Sequence, residues 1–441
     1  MNRTRISETP QAVGQKVLIK GWAQTVRDHG KITFIDVRDH TGIIQCVGVN
    51  LTKIPVESAV SLEGTIVARP EKLVNKEIVT GTIEMQIETA TVLHAAHEMP
   101  FDMGQKELNL ELPTLLDWRA LTLKHSREQA IFRLQAAVAQ GFRESAEEME
   151  CMEVFTPTVA ASSTEGGAEV FKVQYYEHSA FLIQSPQLYK QITAGAFERV
   201  YVISHVYRAE PSVTTRHLSE VVQMDCEFSF LEFPELLDAL EHVGTGMIKY
   251  AAEMQPDVLK LYGIDHPKVP TKVPRLKLRE AQEIIKERTG RDVTKEQDLN
   301  PEDEREICAW ALEMHDSDFV TITHFPTKKR AFYTMPDPED PEFSLSFDLL
   351  FRGIEISSGS QRIHDYDELV TAITSRNMNP KDFELYLQAF KFGMPPEGGF
   401  SFGLERVTMK ILELDNVRRA SLFPRDMERV DVRLATLQDK A

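Results

Sequence analysis

From Lys16 to Ile87 the chain alternates apolar and polar positions in short runs: Lys16-Val17-Leu18-Ile19-Lys20, Ile32-Thr33-Phe34-Ile35-Asp36-Val37, Ile43-Ile44-Gln45-Cys46-Val47, Ser61-Leu62-Glu63-Gly64-Thr65-Ile66-Val67 and Ile83-Glu84-Met85-Gln86-Ile87. A period of two puts successive side chains on opposite faces, so each run reads as a strand. Five of them, separated by turn residues, predict a small β-barrel within residues 1–98. Periodicity is lost from Pro100 to Leu123, where Gly104, Pro113 and Asp117-Trp118-Arg119 fall, and residues 99–125 read as a hinge. Beyond it the period changes. Ser126 and Gln129 have capping-box spacing, and Ile131, Leu134, Val138 and Phe142 recur at helical intervals, which predicts a long helix opening a second unit over 126–441.

Two patterns in the second unit place polar groups among core residues. Val222, Met224, Cys226, Phe228 and Phe230 alternate with Gln223, Asp225, Glu227 and Ser229. A polar face on an otherwise apolar strand implies a cleft; a solvent-facing edge is the alternative. The preceding Val200-Tyr201-Val202-Ile203 run, leading to Arg208 and Glu210, would pair with it as a hairpin, with Pro211 to Thr215 in the loop. A second hairpin is predicted from Phe347 to Ile356. If Arg352-Gly353 is its two-residue turn, Leu350 faces Glu355, and Asp348 lies diagonally on the same side at roughly 7–8 Å. Such a carboxylate pair can converge on a divalent ion, and hard oxygen ligands shared with phosphates favour Mg²⁺. For a lone acidic pair, a solvated turn is the plainer reading. The elements together give an α+β chain.

Composition narrows the class. A length of 441 residues exceeds what one core usually supports. No apolar run approaches the roughly 20 residues that cross a bilayer, and the N-terminal Arg3, Arg5 and Glu8 lack the apolar core of a signal peptide, so a cytoplasmic protein is expected. Cys46, Cys151, Cys226 and Cys308 are too scattered for a zinc ribbon or a redox pair, and buried reduced thiols are expected. The net charge of −18 argues at first against nucleic acid, yet the first 100 residues balance 11 basic against 11 acidic side chains. A neutral barrel can hold single-stranded bases by stacking on aromatic rings.

No GxxxxGK phosphate loop occurs, but Tyr207-Arg208-Ala209-Glu210 running to Arg216-His217, and Gly398-Gly399-Phe400-Ser401-Phe402-Gly403-Leu404-Glu405-Arg406, resemble motifs 2 and 3 of class II aminoacyl-tRNA synthetases. Val154-Phe155-Thr156-Pro157 looks like motif 1, the usual dimer contact. Gln184-Ser185-Pro186-Gln187-Leu188-Tyr189-Lys190-Gln191 and Gly359-Ser360-Gln361-Arg362-Ile363-His364 resemble the amino-acid pocket of aspartyl-tRNA synthetases of the archaeal and eukaryotic type. The likeness runs from Gly21-Trp22 to Phe423-Pro424-Arg425-Asp426.

This resemblance implies an N-terminal OB-fold anticodon-binding barrel and a catalytic domain of antiparallel sheet flanked by helices. It also implies a homodimer that uses ATP, Mg²⁺, L-aspartate and tRNA(Asp), with tRNA(Asn) as a further possible substrate. Arg208 would bridge the amino-acid carboxylate and the α-phosphate, and Glu210 would contact adenine. Arg216 and His217 would reach the distal phosphates, Arg406 would clamp the γ-phosphate, and Leu218, Gly403, Leu404 and Glu405 complete the nucleotide set. Arg208, Arg406 and Glu355 form the implied catalytic group. Asp348, Glu355 and Ser358 would hold the metal. Lys190 and Arg362 would offer two cations to the substrate's β-carboxylate, with Glu169, Gln187, Asp225 and Ser358 around the α-ammonium and the pocket wall.

In the barrel, the resemblance has Phe34 stacking on an anticodon base, Gln45 reading an edge and Arg27 near phosphate; a core position is the alternative for Phe34. Gln24 and Glu71 occupy the positions that bear on tRNA choice. Gln24 fits an enzyme specific for tRNA(Asp) and Glu71 does not. Residues 264–324, with the charged stretch Lys277 to Arg288 and the acidic run Glu302 to Glu306, resemble an insertion between motifs 2 and 3, for which a solvated surface is expected. Asparaginyl enzymes of this group usually carry an acidic residue where Lys190 stands. Asparaginyl-tRNA synthesis is therefore the nearest alternative, followed by an ATP-dependent amide synthetase, which would not need the barrel, and by an inactive RNA-binding paralogue.

Overall fold

The structure, a computed structural model, describes residues 2–49, 51, 53–76, 78–162, 169–211 and 214–436, and the chain divides into compact units at 1–112 and 113–441. The first unit contains β1 (Lys16–His29), β2 (Ile32–Asp39), β3 (Gly42–Val49), β4 (Ala59–Ala68) and β5 (Ile83–His94), closed into a barrel in the order β1-β2-β3-β5-β4. The inward positions are those the alternation marks: Val17, Ile19, Ile35, Val37, Ile44, Cys46, Leu62, Ile66 and Met85 are all buried. Strand β1 runs well past Lys20 because a bulge between Ala23 and Thr25 shifts its register against β2 without ending it. Gln24 sits in that bulge.

Residues 99–125 are not a uniform hinge. Two short helices, α1 (Leu112–Asp117) and α2 (Arg119–Thr122), occupy its second half. Arg119 is 3% exposed, with its guanidinium on Glu128 at 2.8 Å and on the carbonyls of Arg419, Ser421 and Leu422, so this segment is anchored to the second unit. Helix α3 (Ser126–Glu148) follows and buries Ile131, Leu134, Val138 and Phe142. Its cap is His125, whose Nδ1 accepts from the Arg127 N–H at 3.3 Å; Ser126 is already helical, so the expected capping box does not form.

After α3 come β6 (Met152–Glu153) and a small antiparallel sheet of β7 (Val159–Ala160), β8 (Lys172–Tyr175) and β9 (His178–Leu182). Then follow α4 (Gln187–Phe197), β10 (Arg199–Tyr207), β11 (Glu220–Ser229), α5 (Phe233–Met254) and α6 (Pro256–Tyr262). The next stretch holds β12 (Arg275–Lys277), α7 (Leu278–Thr289), α8 (Pro301–His315) and β13 (Phe319–Thr323). The chain ends with β14 (Ser346–Phe351), β15 (Ile354–Gln361), α9 (Tyr366–Ser375), α10 (Glu384–Lys391), β16 (Glu397–Gly403) and α11 (Leu404–Ile411).

One eight-stranded sheet, in the order β12-β13-β14-β15-β16-β11-β10-β6, organises the unit. Its six inner strands are antiparallel and only the two edge pairings are parallel. Helices α3 and α5 cover one face, where Phe142, Leu240, Val243 and Met247 pack with Met224, Phe228, Leu349 and Phe402 from the strands. Residues 264–324 are more than a solvated surface: β12 and β13 extend the sheet, and α7 and α8 enclose a separate core of Leu278, Ile285, Ile307, Val320 and Ile322. All four cysteines are buried and unpaired. Among the described residues no helix is long and apolar enough to cross a membrane.

Candidate active site

Strands β10 and β11 pair from Arg199↔Phe228 to Tyr207↔Glu220, so the chain between them, residues 208–219, forms the hairpin loop; Ser212 and Val213 lie outside the described residues. Strand β11 is central, between β10 and β16. Its polar face is buried, with Asp225 and Glu227 at 0% exposure, which excludes a solvent edge. That face, β15, β16, the hairpin loop and the start of α4 enclose a cavity of about 370 Å³.

At one end of the cavity lies a buried ionic lattice. Lys190 Nζ donates to Asp225 Oδ1 at 2.9 Å and stands 3.0 Å from Glu227 Oε2. Arg362 donates to Glu227 Oε1 at 2.9 Å, to the Ser360 hydroxyl at 2.7 Å, to the Gly399 carbonyl at 3.0 Å and to Gln187 Oε1 at 3.5 Å. Both cations face the cavity, but neither waits for a ligand unpaired: the polar strand face matches them with carboxylates. Burial works against the Lys190 ammonium, yet Asp225 and Glu227 outweigh it and raise its pKa. Burial raises the pKa of Asp225, whereas Arg362 and Lys190 overcome burial and lower that of Glu227. Burial beside Glu227 keeps Glu397 protonated far above the usual carboxylate range. A Cβ on Gly399 would strike the Glu227 carboxylate, so the lattice requires glycine there.

The other end is looser. Arg208 is 40% exposed and 3.9 Å from Glu210, and His217 approaches the same carboxylate at 3.6 Å. Arg216 Nη1 donates to Glu304 at 2.8 Å, and Arg406 Nη1 donates to the Glu355 carbonyl at 2.9 Å while its carboxylate lies at 3.5 Å. Leu218 closes the wall, buried into the core behind it. Gly403 has ordinary φ, and an added Cβ would only touch the Arg406 side chain at 3.6 Å, so what it leaves open is cavity space. Glu405 turns back to β11, where its two oxygens accept from the Val222 N–H at 3.2 and 3.1 Å, and burial pushes its pKa up to about 7.

Between the two ends sits the β14–β15 hairpin. Arg352 and Gly353 make its turn, with φ of +46° and +81°, and Leu350 faces Glu355. A bulge then shifts the register, so Asp348 pairs with Ser358. Arg330 caps this cluster, donating to Asp348 Oδ2 at 2.8 Å and to Ser358 Oγ at 3.1 Å with its guanidinium 3.9 Å above the Phe325 ring. The second oxygen of Asp348 is buried without a hydrogen-bond partner among the described residues. Partial burial and the charge of Asp348 push Glu355 up to about 7.

Four expected residues do not line the cavity. Asp225 sits behind Lys190, Asp348 behind Arg330, and Leu404 belongs to the core under α11. Glu169 adjoins the undescribed residues 163–168 and is held through its carbonyl, which accepts from the Ala209 N–H and Gln184, both at 3.1 Å. Gln187, Lys190, Arg208, Glu210, Arg216, His217, Glu355, Ser358, Arg362, Gly403, Glu405 and Arg406 do line it. The sequence reading gave no individual role to Arg330, Glu304, Glu397 or Gln191. Only Gln191 had a legible signal: it lies one helical turn after Gln187, whose amide donates to it at 2.9 Å.

On the barrel, Arg27 faces Phe34 across β1 and β2 and donates to Asp36 at 3.1 Å and to Gln45 Oε1 at 3.3 Å; Gln45 donates to Glu84 at 3.1 Å. Phe34 is half-buried on this outer face against the His29 ring, and so is not a core residue. Glu71 is exposed in a single 3₁₀ turn, Glu71–Leu73.

The family model "tRNA synthetases class II (D, K and N)" matches residues 111–427, and an "OB-fold nucleic acid binding domain" model matches residues 17–93. The aspartate–tRNA(Asp/Asn) ligase of Deinococcus radiodurans is 40% identical over 438 residues, covering 98% of this chain and 99% of that one. The aspartate–tRNA(Asp) ligase of Pyrococcus abyssi is 36% identical over 446 residues, with 98% and 100% coverage. Among solved structures, Pyrococcus horikoshii asparaginyl-tRNA synthetase complexed with asparaginyl-adenylate superposes with a TM-score of 0.89 at 30% identity, covering 98% of this chain and 99% of that one. Entamoeba histolytica aspartyl-tRNA synthetase gives 0.85 at 28% identity, with 98% and 93% coverage. Matched by its family model from α1 to beyond α11 and by full-length relatives on both sides, the chain belongs to the class II tRNA synthetases of the D, K and N group and is an aminoacyl-tRNA ligase built on an OB-fold barrel and a class II catalytic domain.

Proposed function

We propose that the chain is an aspartate–tRNA ligase, which forms aspartyl-adenylate from ATP and L-aspartate and then transfers the acyl group to the 3′-hydroxyl of tRNA(Asp). The observation that carries the choice of amino acid is Lys190, 1% exposed, beside Arg362 in the cavity wall. An amide substrate does not call for two buried cations, whereas a carboxylate does. The bonds of Lys190 to the Phe400 carbonyl and of Arg362 to Gln187, both 3.5 Å, are the long ones an entering carboxylate replaces. Asp225, behind Lys190, does not line the cavity and holds that cation in place.

Activation joins the α-carboxylate to the α-phosphorus and expels pyrophosphate. The nucleophile is already ionised at neutral pH, so no general base is required. The protein aligns two anions and offsets the charge of the transition state. Arg208 lies where carboxylate and α-phosphate meet, Arg216 and His217 face the distal phosphates, Arg406 the γ-phosphate and Glu210 the base. Asp348, Glu355 and Ser358 suit Mg²⁺, because all are hard oxygen donors and one Asp348 oxygen is buried without a partner. Bound there, the ion would supply Lewis-acid neutralisation of phosphate charge. Phe34, Gln45 and Arg27 form the anticodon face. Phe155, 89% exposed just after the short β6 strand, supports a homodimer through motif 1. The use of tRNA supports a cytoplasmic location.

The test is aspartate-dependent exchange of pyrophosphate into ATP, followed by charging of purified tRNA(Asp) and tRNA(Asn) with labelled aspartate. Exchange with aspartate and not asparagine is expected. Exchange with asparagine alone would replace this reading with asparaginyl-tRNA synthesis. Gln24 and Glu71 point in opposite directions on tRNA choice, and the charging of tRNA(Asn) decides between them.

A further inference from the structure

The acidic run Glu302 to Glu306 on α8 divides by direction. Glu302 is exposed and 3.6 Å from Arg291, and Glu306 holds Arg288 at 2.6 Å, both on the outer side of the helix. Glu304 turns inward. Its side chain is 12% exposed, its Oε2 accepts from Arg216 Nη1 at 2.8 Å, and its carboxylate lies near the backbone of Glu355. Arg216 lines the cavity, as does Glu355, which carries the expected metal carboxylate. One side chain of residues 264–324 therefore ties the hairpin-loop arginine to the acidic hairpin.

We propose that Glu304 is a positioning residue for the triphosphate of ATP, holding Arg216 by one N–H so that its other donors stay directed at the distal phosphates. A guanidinium has five N–H groups in a planar fork, so an anchor on one leaves the rest for phosphate oxygens. An arginine on a hairpin loop otherwise loses rotamer freedom each time it binds, and fixing it beforehand removes that cost from ATP binding. Residues 264–324 thereby acquire a part in nucleotide binding.

The inference rests on the proposed aspartate-dependent exchange as its readout. In the full-length protein, Glu304→Gln is expected to raise the KM for ATP about tenfold, with the KM for aspartate and the unfolding midpoint unchanged. Glu304→Asp should recover part of the loss, and Glu302→Gln should behave as wild type. In an Arg216→Met background Glu304→Gln should add no further effect. An unchanged KM for ATP, a second additive loss in the Arg216→Met background, or a fall in kcat that tracks a lowered unfolding midpoint would overturn the proposal. Wild-type protein inactive with aspartate would overturn the amino-acid assignment instead, and the same ATP series would then be run with asparagine.

Discussion

The two ends of the cavity are built on opposite principles. At the amino-acid end, Lys190, Arg362, Asp225 and Glu227 are all buried and each charge has at least one opposite partner within 3.0 Å. At the phosphate end, Arg208, Arg216 and Arg406 retain 25–40% exposure and rest on single carboxylates between 2.8 and 3.9 Å. Breaking a buried pair leaves an uncompensated buried charge, so the first end is tied to folding. Half-exposed pairs contribute little to stability, which leaves Arg208 and Arg406 free to exchange protein carboxylates for phosphates while Arg216 keeps its anchor on Glu304. On the proposed reading, selection of the amino acid sits in the fully buried, paired part of the site, and charge neutralisation in the half-exposed part.

The sharpest way to break this contrast is Lys190→Met. It leaves Asp225 buried without its cation and Glu227 buried with Arg362 alone. A loss of about 3–5 kcal/mol in unfolding free energy is expected together with loss of aspartate activation, checked by urea denaturation and pyrophosphate exchange. Arg406→Ala should do the reverse. Exchange should fall about 10²–10³-fold, as for other lost donors to developing charge, while stability shifts by less than about 1 kcal/mol. Equal destabilisation by the two variants would refute the division.

The same contrast explains what was legible in the sequence. Period-two alternation marks Gln223, Asp225, Glu227 and Ser229 as one strand face, and a two-residue turn fixes Leu350 opposite Glu355, because strand parity and turn length are local properties. The bulge after Leu349 is not local: it moves Asp348 opposite Ser358 and depends on how β14 and β15 pack between their neighbours. Partners drawn from far along the chain were hidden for the same reason. Arg330 reaches Asp348 from just after the 3₁₀ turn Thr327–Lys329, Glu397 lies beside Glu227 from the neighbouring strand β16, and Glu304 reaches Arg216 over 88 positions. The resemblance named the residues that ligands would touch, not the protein groups that hold them when no ligand is bound. Arg119 shows the opposite failure, since an aperiodic stretch with Pro113 reads as a hinge until its long-range carbonyl partners are known.

Glu405 sharpens the comparison on a smaller scale, because it is a buried group at the loose end. Its pKa is raised from 4.5 to about 7 by burial, so the folded protein holds the proton more tightly than the unfolded chain does. The stability this gives is complete below about pH 4.5 and is lost as pH rises through about 7. Relative to Glu405→Gln, the wild type should lose up to about 3 kcal/mol of unfolding free energy between pH 5 and pH 8. A constant difference across that range would mean that the carboxyl titrates normally and that this end holds no buried acid.

The smallest effect belongs to the barrel and separates tRNA recognition from both ends of the cavity. Phe34 is half-buried on the face that carries Arg27 and Gln45, where a base is proposed to stack. Base–aromatic stacking contributes about 1–3 kcal/mol, so Phe34→Ala should weaken tRNA binding by roughly ten- to a hundredfold and leave the barrel's inward core intact. Pyrophosphate exchange needs no tRNA. It should therefore proceed at the wild-type rate in this variant while the KM for tRNA in the charging reaction rises. If exchange fell along with charging, Phe34 would be acting through the fold, and the neutral outer face of the barrel would lose its assignment as the surface that meets the anticodon.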